Sequence, residues 1–249
     1  MPPTRSGRRP VSSELAGKTV VLTREAPDNA ALAARLRQWS VDVIELPCVR
    51  IEPIADVRPL CDALAGLRED DWLVLTSRHG ADAVAGCGPV RAAVAAVGDA
   101  TAERSRELGL RVQFRPSQAN GERLARELPA RGRRVALLAR SDRALPDLAA
   151  ILRDRGFDVS EAVAYRTIPE AQGDVARVRA LLASAAPMAV LFSSPSAVAG
   201  LLGAIEAPLV ARASIRVVGP ATLRAVRDAL GPDADVSLIE EEAAYVAHR

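Results

Sequence analysis

The sequence is poor in aromatic residues, histidine and lysine, and each shortage removes a class of function. Aromatic residues make up 3% of the 249 residues, which excludes a surface that stacks single-stranded nucleic acid on aromatic rings. The two histidines, His79 and His248, lie far apart and form no metal-ligand motif with a cysteine. Lys18 is the only lysine, and 33 basic against 31 acidic residues leave a net charge of +2. That balance excludes a strongly basic nucleic-acid-binding protein.

The cysteines and the hydrophobic segments favour a cytoplasmic protein. Three cysteines, Cys48, Cys61 and Cys87, form no CxxC pair, and an odd number is typical of a reducing compartment. No apolar stretch is long enough to cross a bilayer, so no membrane partner is expected. Residues 1–17 carry arginine, proline and serine but no apolar run of a secretory signal. We predict that they form a disordered leader.

Short apolar runs alternate with amphipathic segments from residue 18 onward. In the first amphipathic segment, Asp28 is the predicted N-cap of a helix. Alternation of strands and helices predicts an α/β fold, with parallel sheets covered by helices on both faces. The predicted strands lie near 19–23, 41–46, 72–76, 94–97, 111–114, 134–139, 158–165, 188–192, 216–218 and 235–239.

Ten strands exceed what one sheet in so short a chain holds, so we predict two parallel-sheet, three-layer domains. Two extended segments bounded by proline, 47–54 and 162–169, interrupt the alternation and are expected to pair as a two-stranded β connector. Residues 55–161 then form an α/β domain inserted into a discontinuous α/β domain made of 18–46 and 170–249.

Small polar residues follow the predicted strands, at the edge where parallel α/β sheets bind ligands. Each residue taken alone fits a helix N-cap. Taken together, hydroxyls and helix N–H groups on two sheets that face each other suit a large ligand with several negative charges. The candidate binding residues are Thr23, Arg24, Thr76, Ser77, Gly98, Thr101, Ser193, Ser194, Ser196, Gly219 and Thr222.

The usual catalytic and nucleotide-binding motifs are missing. Neither GxxxxGK[ST] nor GxGxxG occurs after a strand, which disfavours a nucleotide-dependent enzyme. His79, at a predicted helix start, is interpreted as a surface residue. Tyr165, one of two tyrosines, lies in the predicted connector. Its phenol either packs against the hinge or donates a proton to a leaving hydroxyl, and the residues alone leave both alternatives open.

Six short motifs, taken in order, resemble those of the uroporphyrinogen-III synthase family. His79-Gly80 stands where relatives more often have an Asn-Gly-like pair. The resemblance implies two α/β domains, one inserted in the other and joined by a β-ladder. The motifs are Val21-Leu22-Thr23-Arg24, Val74-Leu75-Thr76-Ser77, Ala96-Val97-Gly98 with Thr101, Ala164-Tyr165-Arg166-Thr167, Phe192-Ser193-Ser194-Pro195-Ser196-Ala197-Val198 and Val218-Gly219-Pro220-Ala221-Thr222.

The resemblance also implies an activity. A lyase of this family converts hydroxymethylbilane to uroporphyrinogen III without cofactor or metal, removing water and inverting ring D. In this chain the resemblance makes Tyr165 the residue that assists hydroxyl departure, with Ser194 and Thr222 as substrate contacts. A monomer is expected, because no long apolar surface stripe is evident. The alternatives are a non-catalytic or regulatory homologue, and a small-molecule-binding protein related by architecture alone.

Overall fold

The computed structural model describes residues 15, 17–184 and 186–239. The strands are β1 (Thr19–Leu22), β2 (Asp42–Glu45), β3 (Val49–Pro53), β4 (Trp72–Leu75), β5 (Ala93–Ala96), β6 (Val112–Phe114), β7 (Val135–Ser141), β8 (Asp158–Pro169), β9 (Met188–Phe192), β10 (Ser214–Val218) and β11 (Val236–Ile239). The helices are α1 (Ala26–Arg37), α2 (Arg58–Ala65), α3 (Arg78–Ala85), α4 (Asp99–Glu107), α5 (Gly121–Glu127), α6 (Asp147–Asp154), α7 (Val175–Ala183), α8 (Pro195–Leu202), α9 (Ala207–Val210) and α10 (Pro220–Leu230). The predicted α/β fold with parallel sheets is confirmed.

The chain divides into two compact units. Unit 1 contains the described residues up to Arg50 and from Ile168 onward, and unit 2 is Ile51–Thr167. The chain therefore passes from one unit to the other within β3 and again within β8. Both crossing points lie inside the two segments, 47–54 and 162–169, that the sequence set apart as extended.

The sheet of unit 1 has the strand order β11-β10-β9-β1-β2, and all of its strands are parallel. Every residue of its central strand β9 is buried. Val190 and Phe192 of β9 face the core beneath α7, α8 and α10, whereas Ala189 and Leu191 face α1. A strand buried on both faces needs a continuous apolar run, which is why the sequence pattern locates it.

The sheet of unit 2 has the strand order β3-β8-β7-β4-β5-β6, and the strands from β8 to β6 run parallel. Its central strand β4 also supplies two cores. Leu73 and Leu75 pack with α2 and α3, whereas Trp72 and Val74 pack with α5 and α6. Each buried leucine contributes about 2 kcal/mol to stability.

Two local expectations differ from the structure. The first helix begins at Ala26, not after Asp28, and Asp28 lies in its first turn, where its carboxylate pairs with Arg24 at 3.1 Å. Leu15, within the predicted leader 1–17, is 1% exposed and packs with the core beneath α1. The rest of that leader, apart from Gly17, lies outside the described residues.

Two of the three cysteines are paired, although an odd number of cysteines was interpreted as typical of a reducing compartment. Cys61 on α2 and Cys87 after α3 form a disulfide, and Cys48 is the free, buried cysteine. The two helices pack on the same face of the unit 2 sheet, which brings together thiols 26 residues apart. An odd total therefore did not exclude a pair.

A search of the described helices for a membrane-spanning segment finds none that combines the necessary length and apolar character.

Candidate functional site

In open α/β sheets, ligands bind beyond the carboxyl ends of the strands, at the point where the strand order reverses. In unit 1 the order reverses between β1 and β9, and in unit 2 between β4 and β7. Residues 23–24, 193–194 and 76–77 follow β1, β9 and β4, and residues 141–142 lie at the end of β7. Three of these pairs are among the candidates from the sequence, and the fourth is not.

At the reversal point of unit 2, Ser77 contacts Tyr165. The Ser77 hydroxyl donates to the phenol oxygen of Tyr165 at 2.8 Å. Ser77 is also the N-cap of α3, where its oxygen accepts from the Gly80 N–H at 3.2 Å. Tyr165 is 9% exposed. The phenol is therefore linked through one hydroxyl to the N-terminus of a helix, where negative charge is favoured.

His79 and Gly80 lie in the first turn of α3, which begins directly after Ser77. The rings of His79 and Tyr165 lie 5.6 Å apart, tilted by 57°. His79, which was interpreted as a surface residue, is half-buried. Gly80 approaches β7 so closely that a Cβ atom would lie 2.9 Å from the Ala139 carbonyl oxygen. Glycine at this position therefore lets the first turn of α3 lie directly against the sheet.

The other candidate residues of unit 2 are Thr76, Gly98 and Thr101, and they differ in burial and in their part in helix capping. Thr76 is half-buried after β4. Gly98 is the N-cap of α4, and no side chain caps this helix. Thr101 is 5% exposed in the first turn, and its carbonyl accepts from Ser105. This end of α4 therefore offers backbone N–H groups to a ligand, whereas the side chain of Thr101 is buried.

After β1, Asn29 organises the loop that carries Thr23 and Arg24. Its Nδ2 donates to the carbonyls of Leu22 at 3.0 Å and Arg24 at 2.8 Å, and its Oδ1 accepts from the Arg24 N–H at 3.0 Å. Thr23 is fully buried and donates to the Leu191 carbonyl at 2.6 Å. The hydroxyl of Thr23 thus joins β1 to β9, and Arg24 is the more exposed residue of the pair.

We expect Asn29→Ala to lower the free energy of unfolding by about 2 kcal/mol, because three hydrogen bonds to the backbone of Leu22 and Arg24 are lost. Urea unfolding followed by circular dichroism measures the loss. The matched control is Asn120→Ala, at the chain's other asparagine, which caps α5 through a single bond to Arg123. The control variant should lose about 1 kcal/mol. Equal losses in the two variants would contradict a special role for Asn29.

The remaining candidates of unit 1 follow β9 and β10. Ser194 is the N-cap of α8 and accepts from the Ala197 N–H at 3.2 Å, while Ser193 and Ser196 are half-buried. Gly219, with a φ of 83°, precedes α10, which no side chain caps, and Thr222 in its first turn is 2% exposed. The capping interpretation therefore holds for Ser77 and Ser194, whereas α4 and α10 begin with backbone groups alone.

Sequence reasoning missed Ser141, the last residue of β7, and Asp142, which follows it. Their partners lie on β8, about 25 residues away, and no motif marks such a pair. Burial raises the pKa of the Asp142 carboxyl, but hydrogen bonds from the Thr167 N–H and the Ser141 hydroxyl, with Arg166 and Arg143 nearby, bring it below its ordinary value. Asp142 is therefore ionised at neutral pH.

The arrangement suits the binding of carboxylates and the transfer of a proton. Hydroxyls and helix N–H groups bind negative charge, and a phenol such as that of Tyr165, which accepts from Ser77, is of a type able to donate a proton. Among the described residues, no group of three or more His, Cys, Asp or Glu side chains is placed to hold a metal ion.

Comparison with known proteins identifies relatives. The family profile described as "Uroporphyrinogen-III synthase HemD" matches residues 30–236. The chain is 29% identical over 163 residues to the uroporphyrinogen-III synthase of Synechococcus elongatus, covering 61% of this chain and 62% of that protein. It is 32% identical over 192 residues to the chloroplastic uroporphyrinogen-III synthase of Oryza sativa subsp. japonica, covering 72% of this chain and 62% of that protein. The chain thus spans about three fifths of the length of both relatives.

Solved structures share the fold. A mutant uroporphyrinogen III synthase from Thermus thermophilus superimposes with a TM-score of 0.61 at 23% identity, covering 92% of this chain and 94% of that chain. Uroporphyrinogen-III synthetase from Helicobacter pylori superimposes with a TM-score of 0.53 at 15% identity, covering 92% and 96%.

Proposed function

Because the chain belongs to the uroporphyrinogen-III synthase family, we propose that it converts hydroxymethylbilane to uroporphyrinogen III and is a lyase that releases water. The observation that supports this proposal is the contact between Ser77 and Tyr165, at 2.8 Å, where the strand order of unit 2 reverses. It joins a proton donor to the edge of the sheet where a ligand binds.

The reaction depends more on the positioning of the substrate than on strong acid catalysis. The linear tetrapyrrole loses its terminal hydroxyl readily and closes unaided to the uninverted isomer. The protein must hold the chain so that the bond forms at the substituted carbon of ring D, which gives the spiro intermediate and then the inverted ring. One proton is added to the leaving hydroxyl and one is lost when the macrocycle closes, so the substrate yields uroporphyrinogen III and one water.

Ser77 directs the proton of Tyr165. Since the Ser77 oxygen accepts from Gly80 and its hydrogen is donated to the phenol oxygen, the hydrogen of the phenol is directed to an acceptor other than Ser77. We infer that the phenol transfers this hydrogen to the leaving hydroxyl when the substrate is bound. As the proton leaves, negative charge on the phenol oxygen is stabilised by Ser77 and by the N-terminus of α3.

The acetate and propionate groups of the substrate would bind at the helix N-termini. The first turns of α4 and α10, which no side chain caps, offer N–H groups. Ser193, Ser196 and Thr76 offer half-buried hydroxyls, and Arg24 offers a half-buried guanidinium that pairs with Asp28. For Thr23, Thr101 and Thr222 we propose a supporting role through packing, because each is at most 5% exposed.

Three broader expectations also remain proposals. We propose that 47–54 and 162–169 act as the connector between the units, which is supported by β3 and β8 being neighbours in one sheet. A cytoplasmic location and a monomeric state are the second and third. A reducing cytoplasm would act on the Cys61–Cys87 pair, so the redox state of these thiols in cells bears on the location.

We expect Tyr165→Phe to lower kcat about tenfold, because acid assistance is lost while the helix termini and hydroxyls still position the substrate. Initial rates with hydroxymethylbilane measure the change. Tyr245→Phe makes the same chemical change at the chain's other tyrosine and serves as the control. If Tyr165→Phe keeps the full turnover of wild type, Tyr165 is not the acid that assists hydroxyl departure.

The isomer formed from hydroxymethylbilane tests the function itself. A synthase yields the type III isomer, separated from type I by chromatography after oxidation to the porphyrin. A protein that only binds the substrate leaves the type I isomer of spontaneous closure, and that result would overturn the proposal.

A further inference from the structure

We propose that Asp142 is a positioning residue for Tyr165, because it completes the hydrogen-bond ladder of β8 at the point where β7 leaves the sheet. The catalytic meaning of this role rests on the proposed function, whereas the contacts themselves do not.

The contacts follow the pattern of a parallel ladder. In such a ladder, a residue donates its N–H to one residue of the next strand, and its carbonyl accepts from the residue two positions further on. The Asp142 N–H donates to the Tyr165 carbonyl at 3.1 Å. The Thr167 N–H, two positions on, donates to Asp142 Oδ1 at 2.9 Å. The side-chain oxygen thus takes the place of a main-chain carbonyl.

The substitution is needed because β7 ends here. The pairing register shifts between Arg140 and Ser141, and the chain then turns, with the Ala144 N–H donating to the Ser141 carbonyl at 3.1 Å. Past this turn no main-chain carbonyl of β7 extends the ladder. The carboxylate of Asp142 therefore extends the hydrogen bonding of this edge of β8 from Tyr165 to Thr167.

Neighbouring polar groups hold the carboxylate in place. The Ser141 hydroxyl donates to Asp142 Oδ1 at 3.1 Å and lies 2.7 Å from the Thr167 hydroxyl. The hydroxyl of Ser141 has a single hydrogen, which it donates to Asp142. The Thr167 hydroxyl is therefore the donor in its contact with Ser141. Arg166 approaches the second carboxylate oxygen, with its Nε 3.8 Å from Oδ2. The side chain of Asp142 is thus fixed from three directions.

Tyr165 is consequently held at both ends. Ser77 contacts the phenol, and Asp142 contacts the main-chain carbonyl of the same residue. A phenol donates effectively only when its oxygen lies within hydrogen-bond distance of the leaving group. Loss of the carboxylate should therefore reduce the rate of the chemical step and leave substrate binding nearly intact.

The test compares three variants in steady-state assays with hydroxymethylbilane. Asp142→Ala should lower kcat about fivefold with KM within about twofold of wild type. Asp142→Asn keeps one acceptor oxygen and should restore kcat to within about twofold of wild type. Asp142→Glu keeps the charge but displaces the oxygens, and should behave like Asp142→Ala. The matched control is Glu127→Ala, because Glu127 accepts from the N–H and hydroxyl of Ser117 away from Tyr165.

A double-variant cycle separates positioning from a general loss of stability. In a Tyr165→Phe background, Asp142→Ala should reduce kcat by less than about twofold, since the group that it positions is already gone. A fivefold loss in that background, or an equal loss in Glu127→Ala, would overturn the proposal. So would failure of Asp142→Asn to restore kcat.

A second readout does not depend on activity. NMR of ring-labelled tyrosine gives two signals, assigned with Tyr245→Phe. The Tyr165 signal should shift in Asp142→Ala and Asp142→Glu but not in Asp142→Asn, and an unchanged signal would overturn the proposal. If wild type forms only the type I isomer, the proposed function fails, and the NMR result alone then decides the positioning role. If Asp142→Ala does not fold, Asp142→Glu and Asp142→Asn supply the comparison.

Discussion

Gly200→Ala should lower the free energy of unfolding of unit 1 by about 3 kcal/mol, through overpacking against backbone that has little freedom to move. Gly200 lies buried on α8, and a Cβ atom there would overlap the Cys48 carbonyl oxygen and lie 3.0 Å from the Glu170 nitrogen. The helix therefore crosses directly over the two segments by which the chain leaves and re-enters unit 1.

These segments resist displacement because they are hydrogen-bonded to each other and to the sheet. The Glu170 N–H donates to the Cys48 carbonyl at 3.1 Å, and the Cys48 N–H donates to the Thr23 carbonyl at 3.0 Å. A methyl group at position 200 must push α8 away or break these bonds. Either response opens the core that α8 shares with β9.

Thermal unfolding followed by circular dichroism measures the effect, with an expected fall in Tm of about 9 °C. The control is Gly203→Ala at the end of the same helix, where a Cβ atom would meet its nearest neighbour, the Ala199 carbonyl oxygen, at 3.4 Å. That contact is nearly ordinary, so the control should be neutral or slightly stabilising. A Gly200→Ala variant as stable as the control would show that α8 is not in close contact with these segments.

Removal of the disulfide between Cys61 and Cys87 should lower the free energy of unfolding of unit 2 by about 3 kcal/mol, because it restores freedom to a closed loop in the unfolded chain. The cysteines lie 26 residues apart in sequence. The folded unit should keep its structure, since Leu60 and Leu64 of α2 remain packed with Ala81 and Val84 of α3.

Chemical denaturation of the oxidised protein and of a Cys61→Ser/Cys87→Ser variant measures this difference. Tryptophan emission is a suitable probe, because Trp72 of unit 2 is 2% exposed whereas Trp39 is 40% exposed. Thiol counting provides the control: burial raises the pKa of Cys48 to about 12, so the native oxidised protein should show no reactive thiol. Two reactive thiols before reduction, or identical midpoints for the two proteins, would contradict the expectation.

The sequence located most strands because they are buried on both faces. β4 and β9 are runs of apolar residues, and a run of that kind admits few other interpretations once alternating helices flank it. Helix beginnings were harder to predict. Asp28 is a typical N-cap residue, but it lies in the first turn of α1, where Arg24 and the helix N-terminus both favour a carboxylate.

The candidate site was predictable to the extent that residue type carries the information. Tyr165 is one of two tyrosines, and Ser77 follows an apolar strand, so both were candidates from the sequence. Their contact spans 88 residues, and no local pattern encodes it. Asn29 and Asp142 were missed because each acts on backbone atoms, which every residue has, so no particular partner residue marks their presence.

The sequence by itself determined the class of fold, the places of the strands and the residue types at the ends of those strands, because hydrophobic periodicity and capping chemistry are local properties of the chain. Only the tertiary structure decided which of these ends come together. Strand order makes the end of β7 a neighbour of β8, which joins Asp142 to Thr167, and it places β4 one strand further on, so that Ser77 reaches Tyr165 past the end of β7. That order depends on how the whole core packs.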